Sequence, residues 1–410
     1  MSGARPRRDW RTPALILAAG AATMAISLGI RHAFGLFLAP MSRDHGWTRE
    51  VFAFAMALQN LVWGAAQPFA GRLADRHGAG KLILGGSGLY AAGLLLMARS
   101  GSGSALALSA GLLVGLGLSG TSFPVVFGAI ARSTPPERRS LAMGVAMSVG
   151  SLGQFAMLPG TLSAIEALGW AGALVVLAAL GAAMAPLSAA IFERPAAGAA
   201  GGASPGLRAV LAEALAHRGF WLLSFGFFVC GFHVAFIATH LPAYLVDRGL
   251  DAHAGAMVLA LVGLFNIAGS YFAGLLGGRL PKPGLLVGIY GLRAVVIAVF
   301  FLLPVTEGTA YAFGAAMGFL WLSTVPLTNG TVAAFFGVEN MAMLGGIVFF
   351  FHQVGAFLGG WLGGRLFVAT GSYDLVWWLS IALALVAALL NVPVREVPVA
   401  RLRATPEIAA

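Results

Sequence analysis

Apolar residues run through this 410-residue chain in long blocks. Short polar or Gly/Pro-rich punctuation divides them into twelve segments near 13–40, 50–73, 81–98, 104–131, 139–162, 168–192, 218–246, 253–278, 283–303, 308–334, 340–368 and 373–394. Each approaches or exceeds the roughly 20 residues a helix needs to cross ~30 Å of hydrocarbon. The pattern predicts an all-α integral membrane protein with twelve transmembrane helices. The longest interruption, the Ala/Gly-rich stretch at about 193–217, reads as a linker. It divides the chain into an N-terminal six-helix bundle (1–192) and a C-terminal six-helix bundle with a short tail (218–410).

The halves also repeat. At an offset of 202, Gly29, Ala33, Phe34 and Pro40 fall on Gly231, Ala235, Phe236 and Pro242. Pro124 and Gly128 fall on Pro326 and Gly330, and Gly144, Gly153, Phe155 and Gly169 on Gly346, Gly355, Phe357 and Gly371. One shared offset over three helix pairs is the mark of a parallel repeat, with two pseudo-symmetric bundles. It also sets Arg31 opposite His233.

Composition agrees with the bilayer reading. Hydrophobic residues make up 59% of the chain and charged residues 10%, too few to clothe a soluble globule and too apolar for a disordered chain. The net charge of +10 is a topology signal rather than a nucleic-acid footprint. One set of span ends gathers most Lys and Arg, including Arg72, Arg76, Lys81, Arg132, Arg138, Arg139, Arg279, Lys282 and Arg395. The other set holds Arg43, Arg49, Arg99 and Arg248. The positive-inside rule then predicts both termini in the cytoplasm. A single cysteine, Cys230, and no Cys/His pair at ligand spacing give no disulfide, metal or redox cofactor. No Ser/His/Asp or paired-carboxylate arrangement suggests an enzyme. Gly115–Gly120 spells a dinucleotide fingerprint, but inside an apolar span with no preceding strand it reads as helix packing.

The ionisable residues at membrane depth carry the functional argument, because they are expensive there. All 15 carboxylates fall in loops or at span ends, whereas Arg31, His32, His233, His240, Arg293 and His352 lie inside spans. Arginine and histidine without an interior acid suggest that an anionic ligand completes the charge balance. Arg31 is the leading candidate for the ligand's carboxylate, with His32, His233, His352 and Gln353 shaping the site. Asn266 and Gln154 are further polar candidates. For Arg293, near the middle of span 9, a site role and a structural role both stay open.

The loop GRLADRHGAGK, Gly71 to Lys81, closely resembles the signature of the major facilitator superfamily, Gly-x-Leu-x-Asp-Arg-x-Gly-x-x-Lys/Arg. Gly71 and Gly78 permit a tight turn, and Asp75 can accept from helix N-terminal amides. The stretch FGLFLAPMSRDHGWTRE, Phe34 to Glu50, resembles the monocarboxylate transporter and oxalate/formate antiporter branch. The resemblance covers nearly the whole chain and implies the major facilitator fold. In the superfamily the Gly71–Lys81 loop latches one conformation, so Gly71, Asp75, Arg76 and Gly78 are the latch residues it implies. Members of the branch carry a basic residue in span 1 that serves a carboxylate substrate, and Arg31-His32 stands in that stretch. The branch usually places an arginine four residues after an Asn or Asp in span 8; here Ser270 follows Asn266, leaving Arg293 or His352 to substitute.

The expected protein is a secondary active transporter of a small organic anion, a mono- or dicarboxylate. It works by alternating access with a proton or counter-anion, as a monomer in the lipid of a bacterial inner membrane, and contacts no nucleic acid. The competing reading is an exporter of hydrophobic drug-like compounds, which would be indifferent to Arg31.

Overall fold

The computed structural model describes residues 11–192 and 206–403. Among the described residues, ten helices are long and apolar enough to cross a bilayer. One of them, Pro136–Ile191, bends at Gly169 (φ 72°) and supplies two spans, 5 and 6. Arg49–His77, 29 residues long, is span 2; Gln59, Asn60 and Gln67 make it the most polar of the set. The others are span 1 (Pro13–His45), span 3 (Ala79–Met97), span 4 (Gly103–Ser133), span 7 (Arg218–Asp247), span 8 (His253–Gly277), span 9 (Lys282–Leu302), span 10 (Glu307–Phe336), span 11 (Met341–Thr370) and span 12 (Asp374–Asn391). Twelve spans result, as the apolar pattern predicts. Of the predicted linker, 193–205 lies outside the described residues, and Leu207–Ala216 is a short helix.

Local chemistry sets the helix ends. Thr12 accepts from the Leu15 amide and Pro13 opens span 1 without an amide to satisfy. Asp251 caps span 8, and Thr306 with Thr309 forms a reciprocal cap on span 10.

The repeat shows in the backbone. Span 4 breaks at Ser122 (φ −90°, ψ 175°), between helices Val114–Thr121 and Phe123–Ser133. Span 10 breaks between Leu320 and Thr324. Pro124 and Pro326, paired by the offset of 202, sit just after the two breaks. Each lacks the amide that would bond four residues back, which weakens the helix at that point, although spans 2, 5 and 7 continue through Pro68, Pro159 and Pro242.

The halves meet along spans 2 and 11 and along spans 5 and 8. Spans 5 and 8 cross at Gly144 and Gly274, where a Cβ on either would stand 2.5 Å from the other's Cα. All the hydrogen bonds joining the halves among the described residues lie between mid-membrane, at Asn60–Gln353 and Ser151–Asn266, and the Arg-rich end, at Asp75 and Arg132. Burial follows the same division. Span 5 is mostly buried over 140–151 and opens from Leu152 onward; span 11 is mostly buried over 341–355 and opens beyond. The protein is closed at its basic face and parted toward the other.

Candidate functional site

Where the halves begin to part, Arg31, Asn60, Gln353 and His352 are linked by hydrogen bonds, one of them to the Asn60 backbone. Half-buried Arg31 of span 1 donates from Nη2 to Asn60 Oδ1 of span 2 at 2.9 Å. The Asn60 backbone carbonyl accepts from Gln353 Nε2 of span 11 at 3.2 Å, and Gln353 Oε1 lies 3.3 Å from His352 Nδ1. The series starts in one half and ends in the other. Among the described residues Arg31 makes no ion pair, and its Nε has no partner. The group that holds it is a neutral amide, and a desolvated guanidinium keeps donors available for an incoming anion.

Aromatic rings floor this region. His352 stacks on Phe349 with centroids 5.5 Å apart, and Phe349 in turn packs on Trp63 and Phe123 of the other half at 4.8 and 4.9 Å. His32, beside Arg31, is exposed, and Gln154 sits three residues beyond Ser151 on span 5, half-buried at the parting.

The other predicted site residues turn elsewhere. His233, equivalent to Arg31 by the repeat, is fully buried inside the C-terminal bundle, with Nε2 2.9 Å from the Ser380 carbonyl of span 12. Arg293 is also fully buried, and its Nη2 donates to the Leu320 and Trp321 carbonyls at the break of span 10. Asn266 serves the other side of that break, accepting from the Leu322 amide at 3.0 Å while donating to Ser151 across the halves at 2.8 Å. In span 4 a neutral group does the equivalent work: Gln67 donates to the Ser119 carbonyl and accepts from Ser122. A broken helix exposes backbone groups that lipid cannot satisfy, so side chains must. Ser151 and Gln67 were not among the predicted residues. A polar residue on the glycine-lined faces of spans 5 and 2 was the available signal.

At the basic face, Asp75 lies beyond the predicted span 50–73 and accepts the Ala342 and Met343 amides at the start of span 11 (3.3 and 2.9 Å) and Arg132 Nη1 (2.8 Å). The Asp75 side chain is 1% exposed. Arg72 donates to Asn340 at 2.9 Å. Arg76 of the same motif is exposed, and Gly78 (φ 91°) turns the chain into span 3. The cation on Asp75 is thus Arg132, from the end of span 4, which motif reading alone does not find.

Comparison with known proteins places these features. The profile of the Major Facilitator Superfamily matches residues 15–360. Human monocarboxylate transporter 11 is 27% identical over 385 residues, covering 90% of this chain and 80% of the relative. A probable sulfoacetate transporter, SauU, of Cupriavidus necator is 25% identical over 381 residues, covering 86% of each. Among solved structures, the major facilitator transporter FucP in its outward conformation superposes with a TM-score of 0.72 at 14% identity, over 92% of this chain and 98% of that one.

Proposed function

Since the chain belongs to the Major Facilitator Superfamily of membrane transporters, we propose that it is a secondary active carrier of a small organic anion bearing a carboxylate. The observation that carries this reading is Arg31: a guanidinium at mid-membrane with no acid partner among the described residues, hydrogen-bonded through Asn60 to Gln353 and His352 of the opposite half. A substrate carboxylate on Arg31 supplies the missing negative charge, and because the bond series spans both halves, its arrival is felt by both. The relatives' names agree in kind, since a monocarboxylate and a sulfoacetate are both small organic anions.

The halves rock about this site by alternating access. With the basic face in the cytoplasm of a bacterial inner membrane, the closed basic face makes the present conformation outward-facing, and the contacts of Asp75, Arg72 and Arg132 are its latch. No interior carboxylate is available, so a coupling proton would ride on His352 or on the substrate itself, whereas anion exchange needs neither.

Thermal unfolding of the purified protein with lactate, pyruvate, succinate, oxalate and sulfoacetate, against lipophilic cations as controls, tests the substrate class. A true ligand at 100 times its Kd stabilises by about 2.7 kcal/mol. Stabilisation by lipophilic cations alone would transfer the reading to the hydrophobic exporter.

A further inference from the structure

The bond series at mid-membrane leaves a second cationic feature unexplained, far from Arg31. At the basic face, between the start of span 7 and the chain just past span 12, lies a cavity of about 220 Å3 lined by His217, Arg218, Leu222, Pro393, Arg395 and Val397. Arg218 and Arg395 are exposed, and among the described residues neither makes an ion pair. The acids nearest in sequence are already engaged: Lys282 Nζ holds Glu396 at 2.8 Å, and Arg401 holds Glu213 at 3.5 Å. Two arginines thus line one small concavity whose lining carries no counter-charge.

The surroundings identify what fills it. The cavity opens where span 7 begins, a helix start that favours phosphate-type anions, although the Phe220 amide there is already held by His217 Nδ1 at 3.2 Å. Trp221 sits one turn in, its indole N–H on the Leu215 carbonyl at 2.7 Å, the placing of an interfacial tryptophan. Toward the membrane interior the outer surface carries exposed apolar side chains, Phe225 on span 7, which packs against Phe351 of span 11, and Leu389 on span 12. Cations at the headgroup level on a lipid-facing surface suit an amphiphile whose head is anionic and whose tail is hydrocarbon. A neutral lipid would have no use for the arginines.

We propose that this pocket binds the phosphate group of an anionic phospholipid, with Arg218 and Arg395 on the phosphate oxygens. The bound head would bridge the start of span 7 to the segment after span 12. That segment is already tied to the bundle by Glu396 on Lys282 and by the Val399 amide on the Phe335 carbonyl.

Native mass spectrometry of the full-length protein, released from micelles doped with phosphatidylglycerol or with phosphatidylcholine of the same acyl chains, tests the site. Wild-type protein should retain phosphatidylglycerol, and Arg218→Gln/Arg395→Gln should retain at least tenfold less. Phosphatidylcholine should be retained weakly and equally by both. Equal retention of phosphatidylglycerol by wild type and variant would overturn the site. Matching stabilisation by inorganic phosphate alone would show a soluble-anion site instead of a lipid one. If the double variant is poorly folded, Arg395→Gln alone, on exposed chain beyond the last span, gives the reading. Neither arginine touches the Arg31 series, so carboxylate binding should survive both changes, and this test stands or falls independently of the proposed substrate.

Discussion

Arg31→Gln should abolish carboxylate transport in proteoliposomes while leaving a folded, membrane-inserted protein of unchanged or slightly raised thermal stability. The two halves of that expectation have one cause. Among the described residues Arg31 has no acid partner to strand, and it donates to Asn60 Oδ1, a contact the glutamine amide can also make. What vanishes is the positive charge a carboxylate needs. Truncating one side of a buried hydrogen-bonded charge pair costs about 2–5 kcal/mol, at least a roughly 30-fold loss of affinity by the relation of about 1.4 kcal/mol to tenfold. Arg31→Lys should fall between, keeping the charge but losing the planar fork that engages both carboxylate oxygens. Full transport by the glutamine variant would remove Arg31 from the site. Failure to fold in both variants would instead make it structural.

A second large effect is expected where span 2 touches span 11. A Cβ on Gly71 would collide with the Ala342 carbonyl and stand 2.6 Å from the Met343 amide nitrogen. These are backbone atoms, of the same two residues whose amides bond Asp75, so no side chain can swing aside. Gly71→Val should therefore force the basic face apart while leaving each bundle intact, since the clash lies between the halves. Overpacking costs about 1–3 kcal/mol, a population shift of roughly 5- to 150-fold. Ser140→Cys in a Cys230→Ser background gives the readout: Ser140 is 3% exposed at the contact between spans 5 and 8. Its thiol should be protected while Gly71 is kept, and labelled at least ~5-fold faster once Gly71→Val is added. Equal protection would mean that the close approach of spans 2 and 11 does not hold the face shut.

The architecture was legible because it follows from local quantities. Apolar length fixes the number of crossings, and matches at one offset, Pro124 with Pro326 among them, mark the repeat. Part of the candidate site was legible for a similar reason: an arginine at membrane depth without an interior carboxylate is conspicuous in a single sequence, and so is the adjacent pair His352-Gln353. Which of those residues meet was not legible. The repeat gives Arg31 and His233 equivalent positions, yet one faces Asn60 at the seam between the halves while the other bonds Ser380 inside its own bundle. Equivalence along the chain carries no information about what the other half contributes.

The same holds for Arg293 and for the Gly71–Lys81 loop. Arg293 stands at mid-span like Arg31, but span 9 packs against span 10 and delivers its guanidinium to the carbonyls of a broken helix. Asp75 was marked by its motif, whereas its cation, Arg132, comes from 57 residues away and its amide donors from more than 260. By itself, then, the sequence determined the all-helical membrane class, the twelve crossings, the two bundles and the presence of unbalanced positive charge inside them. Only the tertiary structure decided which cation stays free, which is consumed in holding a helix break, and which partner closes the basic face. Hydrophobic length and charge act within a single helix, while pairing depends on the rotation and neighbour of each helix, and those are set by packing between spans 2 and 11 and between spans 5 and 8.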